Sequence, residues 1–285
     1  MKDYILTATA YNNEVRIYTA RTTNLVEESR KIHGTYKTAT AALGRLLTAA
    51  SMMSLMTDEL RISLKIESDG PISPISVIAK EGLVKGYLGN PHVYFTHNNG
   101  KLDVKSAVGD GFLYVTRDIN NNYYTSSSKL VSGEIAEDLT YYFAHSEQIP
   151  SSVGLGVLTE DKKAITAGGF IIQLMPFAKE ETISTIESII TNIKPITTLL
   201  EEGYTPEKLL SLLANNTEKI LLKKETKYHC GCSKENFKEG LLKLDKDILV
   251  EMLLEDKQIE IICEYCKKKY LFNEDELKEL ISLKQ

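Results

Sequence analysis

The stretch ISLKIESDGPISPISVIAKEGLVKGYLGN (62–90) decides the fold of this chain. Apolar and polar residues alternate in three short runs, and a period of two is typical of strands that bury one face. The runs cover residues 62–68, 75–82 and 83–90. Asp69-Gly70-Pro71 and Glu81-Gly82 separate them with residues that favour tight turns. The stretch therefore predicts consecutive strands of an antiparallel sheet.

On the N-terminal side, three further elements are predicted before this sheet. Tyr4 to Tyr18 reads as two strands around an Asn12-Asn13 turn, and residues 22–33 have the pattern of a polar amphipathic helix. Residues 40–56 are rich in Ala, Leu and Met and apolar on nearly every side. Because such a helix has no polar face, we expect it at the centre of a core.

On the C-terminal side, more strand patterns follow, with one helix among them. The strand patterns are VYFTH (93–97), LDVKSAV (102–108), GFLYVTRDI (111–119), NNYYTSSSKL (121–130), VGLGVLTE (153–160) and GGFIIQLMP (168–176). Ser132 is a candidate cap for a helix over 134–146. Residues 1–178 are thus predicted to form a mixed, mostly antiparallel α+β core domain.

The sequence pattern changes from strand-like to helical at Lys179, and a helical middle linker is predicted over 179–228. Ile183, Ile186, Ile190 and Ile193 recur at helical spacing, and Thr205-Pro206-Glu207 has the pattern of a second helix start. The segment has apolar helix faces but too few residues to bury them alone. We therefore expect it to pack on a neighbour.

The last block, 229–285, contains the four cysteines of the chain, as Cys230-Gly-Cys232 and Cys263-Glu-Tyr-Cys266 with residues 233–262 between them. Two close pairs of thiols can supply four soft ligands at tetrahedral corners, which Zn²⁺ prefers. A block this short also falls in the size range where a metal often supports a small core. We predict a small C-terminal zinc-binding domain with one Zn²⁺ per chain. His229 adjoins Cys230 and is interpreted as a bystander, since four sulfurs complete a tetrahedron.

Charge and composition argue against several classes of function. The chain has 285 residues and a net charge of −5, and residues 229–285 carry ten Lys and no Arg against thirteen Asp and Glu. A nucleic-acid ribbon shows the reverse balance, and anionic membranes are not attracted either. The opening residues lack the apolar region of a signal peptide, so we expect a cytoplasmic location, where thiols are reduced.

Candidate catalytic groups are weak. Glu134, Glu137 and Asp138 cluster on one predicted helix, but acidic residues are common in a first helical turn. The glycines around Asp110 and at 168–169 match no phosphate-binding pattern and are interpreted as turns. His92, His97 and His145 have no partner at an informative spacing, and Lys267–Lys269 is interpreted as a solvated surface offset by Glu274, Asp275 and Glu276. No catalytic residue is predicted, and the chain is not expected to be an enzyme.

The C-terminal block resembles the redox-regulated thirty-three-kilodalton heat-shock holdases, a family of bacterial chaperones. The matching residues are Cys230-Gly-Cys232-Ser233, then Cys263-Glu-Tyr-Cys266, with Tyr270 and Phe272 behind. The resemblance extends over almost the whole chain through four further stretches. These are TAALGRLLTAASMM (40–53), SDGPISPISVIAKEGLVKGYLGNP (68–91), SGEIAEDLTYYFAHSEQIPSSVGLGV (132–157) and AGGFIIQLMP (167–176). One local difference is Gly231, which is expected to loosen its turn without removing a ligand.

This resemblance implies an ATP-independent chaperone of the stress response that is inactive while reduced and zinc-bound. Oxidants would form the disulfides Cys230–Cys232 and Cys263–Cys266 and release zinc. The linker would then unfold, the core domains would associate as homodimers, and exposed apolar surface would hold unfolding proteins. Because a C-x-C disulfide closes the smaller, more strained ring, we expect Cys263–Cys266 to form more readily.

Two other functions remain open at this stage. Cys263 and Cys266 could serve a thiol–disulfide oxidoreductase, although the βαβ context of such motifs is missing. The block could also be a zinc ribbon that binds RNA or the ribosome, against which the acidic balance argues.

Overall fold

The structure is a computed structural model that describes residues 1–57, 61–119, 122–160 and 163–284, with only the backbone described at Asp256. Its strands are β1 (Tyr4–Ala10), β2 (Val15–Arg21), β3 (Arg61–Ser68), β4 (Ile75–Lys80), β5 (Leu83–Leu88), β6 (Gly111–Ile119), β7 (Asn122–Lys129), β8 (Ser151–Glu160), β9 (Lys163–Leu174), β10 (Lys219–Glu225), β11 (Lys227–Tyr228), β12 (Ile259–Ile262) and β13 (Lys269–Phe272). Its helices are α1 (Thr23–His33), α2 (Lys37–Met53), α3 (Val104–Val108), α4 (Ala136–His145), α5 (Glu180–Asn192), α6 (Ile196–Glu201), α7 (Pro206–Leu213), α8 (Lys234–Leu241), α9 (Lys246–Asp256) and α10 (Glu274–Ser282).

The residues divide into two compact units, Met1–His229 and Cys230–Gln285, here called unit 1 and unit 2. This mixed α+β architecture with antiparallel sheets confirms the predicted fold class. Asn121, the first residue of one predicted strand, lies outside the described residues. The three functional segments 1–178, 179–228 and 229–285 remain a prediction.

Unit 1 contains two sheets, and the stretch 62–90 forms the middle of one of them. That sheet has the strand order β11-β5-β4-β3-β6-β7, and the other has the order β10-β1-β2-β9-β8. Neighbouring strands are antiparallel except β11, which pairs parallel to β5. The alternation in 62–66 places Ile62, Leu64 and Ile66 in the core, as a period of two requires.

Helix α2 contacts both sheets, as its apolar composition predicts. It packs against β4 and β5 on one side and against β8 and β9 on the other. It begins at Lys37, three residues earlier than the sequence predicts, and Thr38 Oγ1 in its first turn bonds both the N–H and the carbonyl of Phe95. These bonds fix the chain just where the helix begins.

Helix α4 begins later than predicted, and Ser132 is not its cap. The carboxylate of Asp138 accepts the backbone N–H groups of Val131, Ser132, Gly133 and Ile135. Ile135 takes a positive φ of 72° in this loop. The loop 131–135 therefore wraps around Asp138, which lies inside the helix. A sequence pattern that looks for a capping residue before the helix does not reveal such a contact.

The segment 179–228 packs on the rest of unit 1, as its apolar helix faces predict. Helices α5, α6 and α7 cover one face of the sheet β10-β1-β2-β9-β8 and build a second apolar cluster. Its buried members are Leu6, Ala8, Ala10, Val15, Ile17, Phe170, Ile172, Ile186, Ile196, Leu199, Leu209, Leu210, Leu213 and Ala214. This cluster is named the linker core below.

Strand β10, at the end of the same segment, is not predicted by the sequence. Its residues KILLKKE lack alternation, and Ile220, Leu221 and Leu222 are all exposed. The strand pairs antiparallel with β1 from Tyr4 opposite Glu225 to Thr9 opposite Lys219. Backbone pairing at a sheet edge, which leaves no periodic pattern of burial, accounts for the difference.

The start of the linker is fastened to the β1–β2 turn by a buried acid. Helix α5 has no side-chain cap of its own. Instead, Glu14, which is 5% exposed, accepts a 3.0 Å hydrogen bond from Lys179 N and a 2.6 Å bond from Thr182 Oγ1. These bonds lower the pKa of Glu14, with the Thr182 bond as the largest cause. A residue far away in sequence thus caps the first linker helix.

Unit 2 is small, and its elements follow in the order of two helices, a strand, a second strand and a terminal helix. Strands β12 and β13 pair antiparallel, and α9 packs against α10. Asn273 and Glu276 form a reciprocal capping box at the start of α10, each at 3.0 Å. The core is short. Its buried residues are Leu241, Leu249, Cys263, Tyr270, Phe272, Leu277 and Leu280.

Candidate metal centre

The first cysteine pair lies in a turn between β11 and α8. Ser233 ends this turn, and its Oγ caps α8 by accepting a 3.2 Å bond from Asn236 N. Gly231, between the two cysteines, has a φ of 64°. This left-handed conformation costs energy in residues that carry a Cβ atom, but not in glycine. Gly231 therefore allows the backbone conformation of this turn, whereas the sequence indicates only a looser turn.

Substitution of Gly231 tests that role. We expect Gly231→Ala to weaken metal binding by roughly fivefold, because Ala in this conformation costs about 1 kcal/mol. Gly231→Asn is the matched control, since Asn tolerates the left-handed region better. Metal affinity can be measured for both by competition with a chromophoric chelator. Equal affinities for Gly231→Ala and the parent chain would contradict this assignment.

The second cysteine pair lies in the turn between β12 and β13. Cys263 O accepts a 2.7 Å bond from Lys267 N, and Cys263 N donates a 2.9 Å bond to Lys268 O. These two bonds fold the chain back on itself within six residues. The strand pairing behind the turn holds Cys263 and Cys266 on the same side, so both thiols face one point.

The structure brings all four predicted cysteines together. Their sulfur atoms all lie within 4.8 Å of one another. Two of the sulfur–sulfur distances are 3.6 Å between Cys230 Sγ and Cys263 Sγ and 3.3 Å between Cys232 Sγ and Cys266 Sγ. None of the four forms a disulfide bond. Among the described residues, these four cysteines are the group of Cys, His, Asp or Glu side chains that lie close enough together to hold a metal ion.

The cluster has the size and the chemistry that a metal site of this kind needs. A tetrahedron with metal–sulfur distances of about 2.3 Å has sulfur–sulfur edges of about 3.8 Å. The observed 3.3 and 3.6 Å are slightly shorter and can expand by a few tenths of an ångström. Four thiols and no open position fit a structural rather than a catalytic site.

The thiols differ in how easily they ionise. Burial acts to raise the pKa of Cys232, but hydrogen bonds with the Tyr270 hydroxyl and with the neighbouring thiols outweigh it and lower this pKa to about 7. Burial raises the pKa of the Cys266 thiol. The hydrogen bond with Cys232 raises the pKa of the Tyr270 hydroxyl. The Tyr270 contact is not predicted by the sequence analysis, where this residue enters only as part of a resemblance.

The remaining candidates serve structural purposes. His229 is outside the metal-capable group, and its backbone N–H donates to Val84 O at 2.8 Å. Glu134 forms an ion pair with Arg45 at 2.5 Å, and Asp138 holds the loop before α4. These acids therefore do not form a catalytic pair.

The histidines and the lysine run are also accounted for. His92 and His145 contact the rings of Tyr36 and Tyr141, and His97 lies 3.8 Å from Asp103. The side chains of the lysine run 267–269 are exposed, in agreement with a solvated surface. Lys267 and Lys269 bond Glu264 and Glu260, whereas Glu274 and Glu276 bond Lys278 and Lys234. Lys267 thus pairs within its own turn, and Lys269 pairs across the hairpin.

The fold and site together define a two-unit α+β protein whose small C-terminal unit gathers four thiols into a centre that could hold a metal ion. Among the described residues, no helix has both the length and the apolar content needed to cross a bilayer.

Comparisons with known proteins agree over the whole length. The family model described as Hsp33 protein matches residues 3–273. The chain is 52% identical over 290 residues to the 33 kDa chaperonin of Acholeplasma laidlawii, covering 100% of both proteins. It is 44% identical over 284 residues to the 33 kDa chaperonin of Bacillus subtilis, covering 98% of both. The crystal structure of the Thermotoga maritima 33 kDa chaperonin, a heat shock protein 33 homolog, superposes with a TM-score of 0.92 at 37% identity, covering 100% of this chain and 99% of that one.

The chain belongs to the Hsp33 family. This confirms the resemblance found in the sequence and supports a chaperone role. Membership implies that the chain binds unfolded client proteins. The relatives are named chaperonins, a class of proteins that are generally not enzymes.

Proposed function

We propose that the chain is a redox-regulated, ATP-independent holdase of the cytoplasm. Its reduced form is inactive and holds one Zn²⁺ through Cys230, Cys232, Cys263 and Cys266. The observation that carries the proposal is the convergence of four reduced thiols at the small core of unit 2. In that position the thiols are a sensor for oxidants and a support of the fold at once.

Zinc would supply a closed tetrahedral anchor that keeps the four sulfurs deprotonated. The cysteines are part of the core of unit 2, where Cys263 is buried and the other three pack against it. Structural zinc contributes about 10–16 kcal/mol to small domains, which matches or exceeds the total stability of a typical protein, about 5–15 kcal/mol. Unit 2 therefore depends on its four thiolates to remain folded.

Oxidation removes the ligands. Two thiolates and one hypochlorous acid give one disulfide, one chloride and one hydroxide. The two sulfurs together lose two electrons, which reduce the chlorine to chloride. We assign the disulfides to Cys230–Cys232 and Cys263–Cys266, the close pairs along the chain. After both have formed, no thiolate remains to hold a metal ion, and unit 2 loses the support of its core.

The consequence for client binding follows from how segment 179–228 is placed. This segment ends at β11, with only one residue between it and Cys230, so the chain that unfolds in unit 2 continues into the linker. Release of α5, α6 and α7 would expose both sides of the linker core. An apolar surface of this kind binds other apolar chains without nucleotide. The activated form is proposed to be a homodimer and to bind neither nucleic acid nor membranes.

A single titration tests the proposal. Hypochlorous acid is added stepwise to the reduced, zinc-loaded chain, and released zinc, disulfides and suppression of client aggregation are measured in each sample. We expect suppression to rise with zinc release and Cys263–Cys266 to form before Cys230–Cys232. Equal suppression by the reduced and oxidised protein would exclude the switch. Early accumulation of Cys230–Cys232 alone would contradict the order.

A further inference from the structure

A tyrosine hydroxyl lies directly against the thiol cluster. Tyr270 Oη is 3.2 Å from Cys232 Sγ and 3.0 Å from the backbone oxygen of the same residue. Tyr270 is buried on β13, and its ring lies 5.0 Å from the ring of Phe237. Because the strand and the ring packing fix the side chain, the hydroxyl is held in place before any metal binds or any oxidant arrives.

One hydroxyl proton cannot serve both acceptors at once. While Cys232 is a thiol, its S–H can point at Tyr270 Oη and the tyrosine proton can go to the carbonyl oxygen of Cys232. When Cys232 is a thiolate, its sulfur is the stronger acceptor, because charged acceptors form stronger hydrogen bonds. The tyrosine proton then turns to Cys232 Sγ without any movement of the ring.

We propose that Tyr270 is a positioning residue that donates a hydrogen bond to the Cys232 thiolate, secures the C-x-C half of the metal site and delays its oxidation. This inference rests on the proposed function of the four cysteines. Groups that hydrogen-bond a metal ligand orient it and tune its electron density, and losing one typically weakens metal binding 10- to 100-fold.

The delay follows from the chemistry of the sulfur. In the first step, a thiolate lone pair attacks the chlorine of hypochlorous acid, an S–Cl bond forms, and hydroxide leaves. In the second step, the neighbouring thiolate attacks this sulfur, the S–S bond forms, and chloride leaves. A hydrogen bond to the sulfur draws on the lone pair that the first step needs, so Cys232 reacts more slowly.

The two halves of the site receive different donors. Cys266 is hydrogen-bonded by the backbone of Lys268, whereas the donor at Cys232 is the phenol of Tyr270. A phenol O–H is a stronger donor than an amide N–H. The difference therefore favours oxidation of the C-x-x-C half first, and it acts in the same direction as the greater strain of a C-x-C disulfide.

Tyr270→Phe in the full-length chain tests the inference, because it removes the hydroxyl and keeps the ring. With Co²⁺ as the probe, we expect the dissociation constant to rise about 10- to 100-fold. The sulfur-to-cobalt charge-transfer band is expected to move to lower energy, since the sulfur lone pair is no longer stabilised. During stepwise oxidation, the Cys230–Cys232 disulfide is expected among the first oxidised species.

Phe237→Leu is the matched control, because it disturbs the packing of Tyr270 but keeps the hydroxyl. We expect it to leave the band energy and the order of disulfides unchanged. Identical spectra and order in Tyr270→Phe and the parent chain would overturn the inference and leave the proposed function intact. The same holds if Phe237→Leu reproduces every effect of Tyr270→Phe, since packing would then explain them. A parent chain that binds no Co²⁺ or Zn²⁺ would instead defeat the proposed function.

Discussion

Replacing Cys263 with serine is expected to unfold unit 2 while the core around α2 in unit 1 stays folded. Cys263 is 5% exposed and is the most deeply buried of the four cysteines, so its sulfur serves both the proposed metal site and the core. Serine leaves three thiolates and places a hydroxyl in an apolar site. The loss of a structural metal alone, about 10–16 kcal/mol in small domains, exceeds what a core of seven buried residues can replace.

Hydrogen exchange resolved by segment measures this result. In Cys263→Ser, we expect amides of α8, α10 and β13 to exchange at the rate of an unfolded chain even with excess zinc. Amides of α2 and β3 are expected to keep their protection, because their core contains no residue of unit 2. Chelation of zinc from the parent chain is expected to give the same pattern.

His229→Ala is the control for this experiment. His229 is next to Cys230 in sequence, but it lies outside the metal-capable group. We expect this variant to bind one zinc per chain and to keep unit 2 protected. A folded unit 2 in Cys263→Ser would show that its core suffices without the fourth ligand, and would remove the basis of the redox switch.

The features that sequence predicts well here are encoded locally. The alternation in 62–90 gives β3, β4 and β5, and the mostly apolar composition of 40–53 places α2 at the centre of unit 1. The two cysteine pairs predict their own convergence, because a metal site requires four ligands and the chain offers these four. Each of these predictions depends on residues that are close together in sequence.

The features that sequence does not predict depend on distant partners. Strand β10 exists because β1 presents a free edge, and its own residues show no strand pattern. Glu14 caps a helix that begins more than 160 residues later, and Tyr270 reaches Cys232 only after β13 has folded. No local pattern marks such contacts. They are also the contacts that hold the linker within unit 1 and order the thiol cluster within unit 2.

A carboxylate in the linker core is expected to activate the protein without any oxidant. Leu210, on α7, is fully buried against β1 and β2. Leu210→Asp would bury a charge with no partner, which costs several kcal/mol unless the segment moves into water. The linker helices are short and have no core of their own, so their release from the sheet is the least costly way to bring the new carboxylate into water. We therefore expect α5, α6 and α7 to leave the sheet while the core around α2 persists.

The measurement is suppression of client aggregation by reduced, zinc-loaded protein, together with limited proteolysis of residues 179–228. We expect Leu210→Asp to suppress aggregation to the same extent as the oxidised parent chain does. We also expect it to be cleaved rapidly in the linker. Leu212→Asp is the matched control, because Leu212 lies on the same helix but is 38% exposed, and its carboxylate can remain in water. The control is expected to behave like the reduced parent chain. If Leu210→Asp releases the linker, keeps its zinc and still fails to hold clients, then exposure of the linker core is not what oxidation achieves, and the client-binding surface lies elsewhere on the protein.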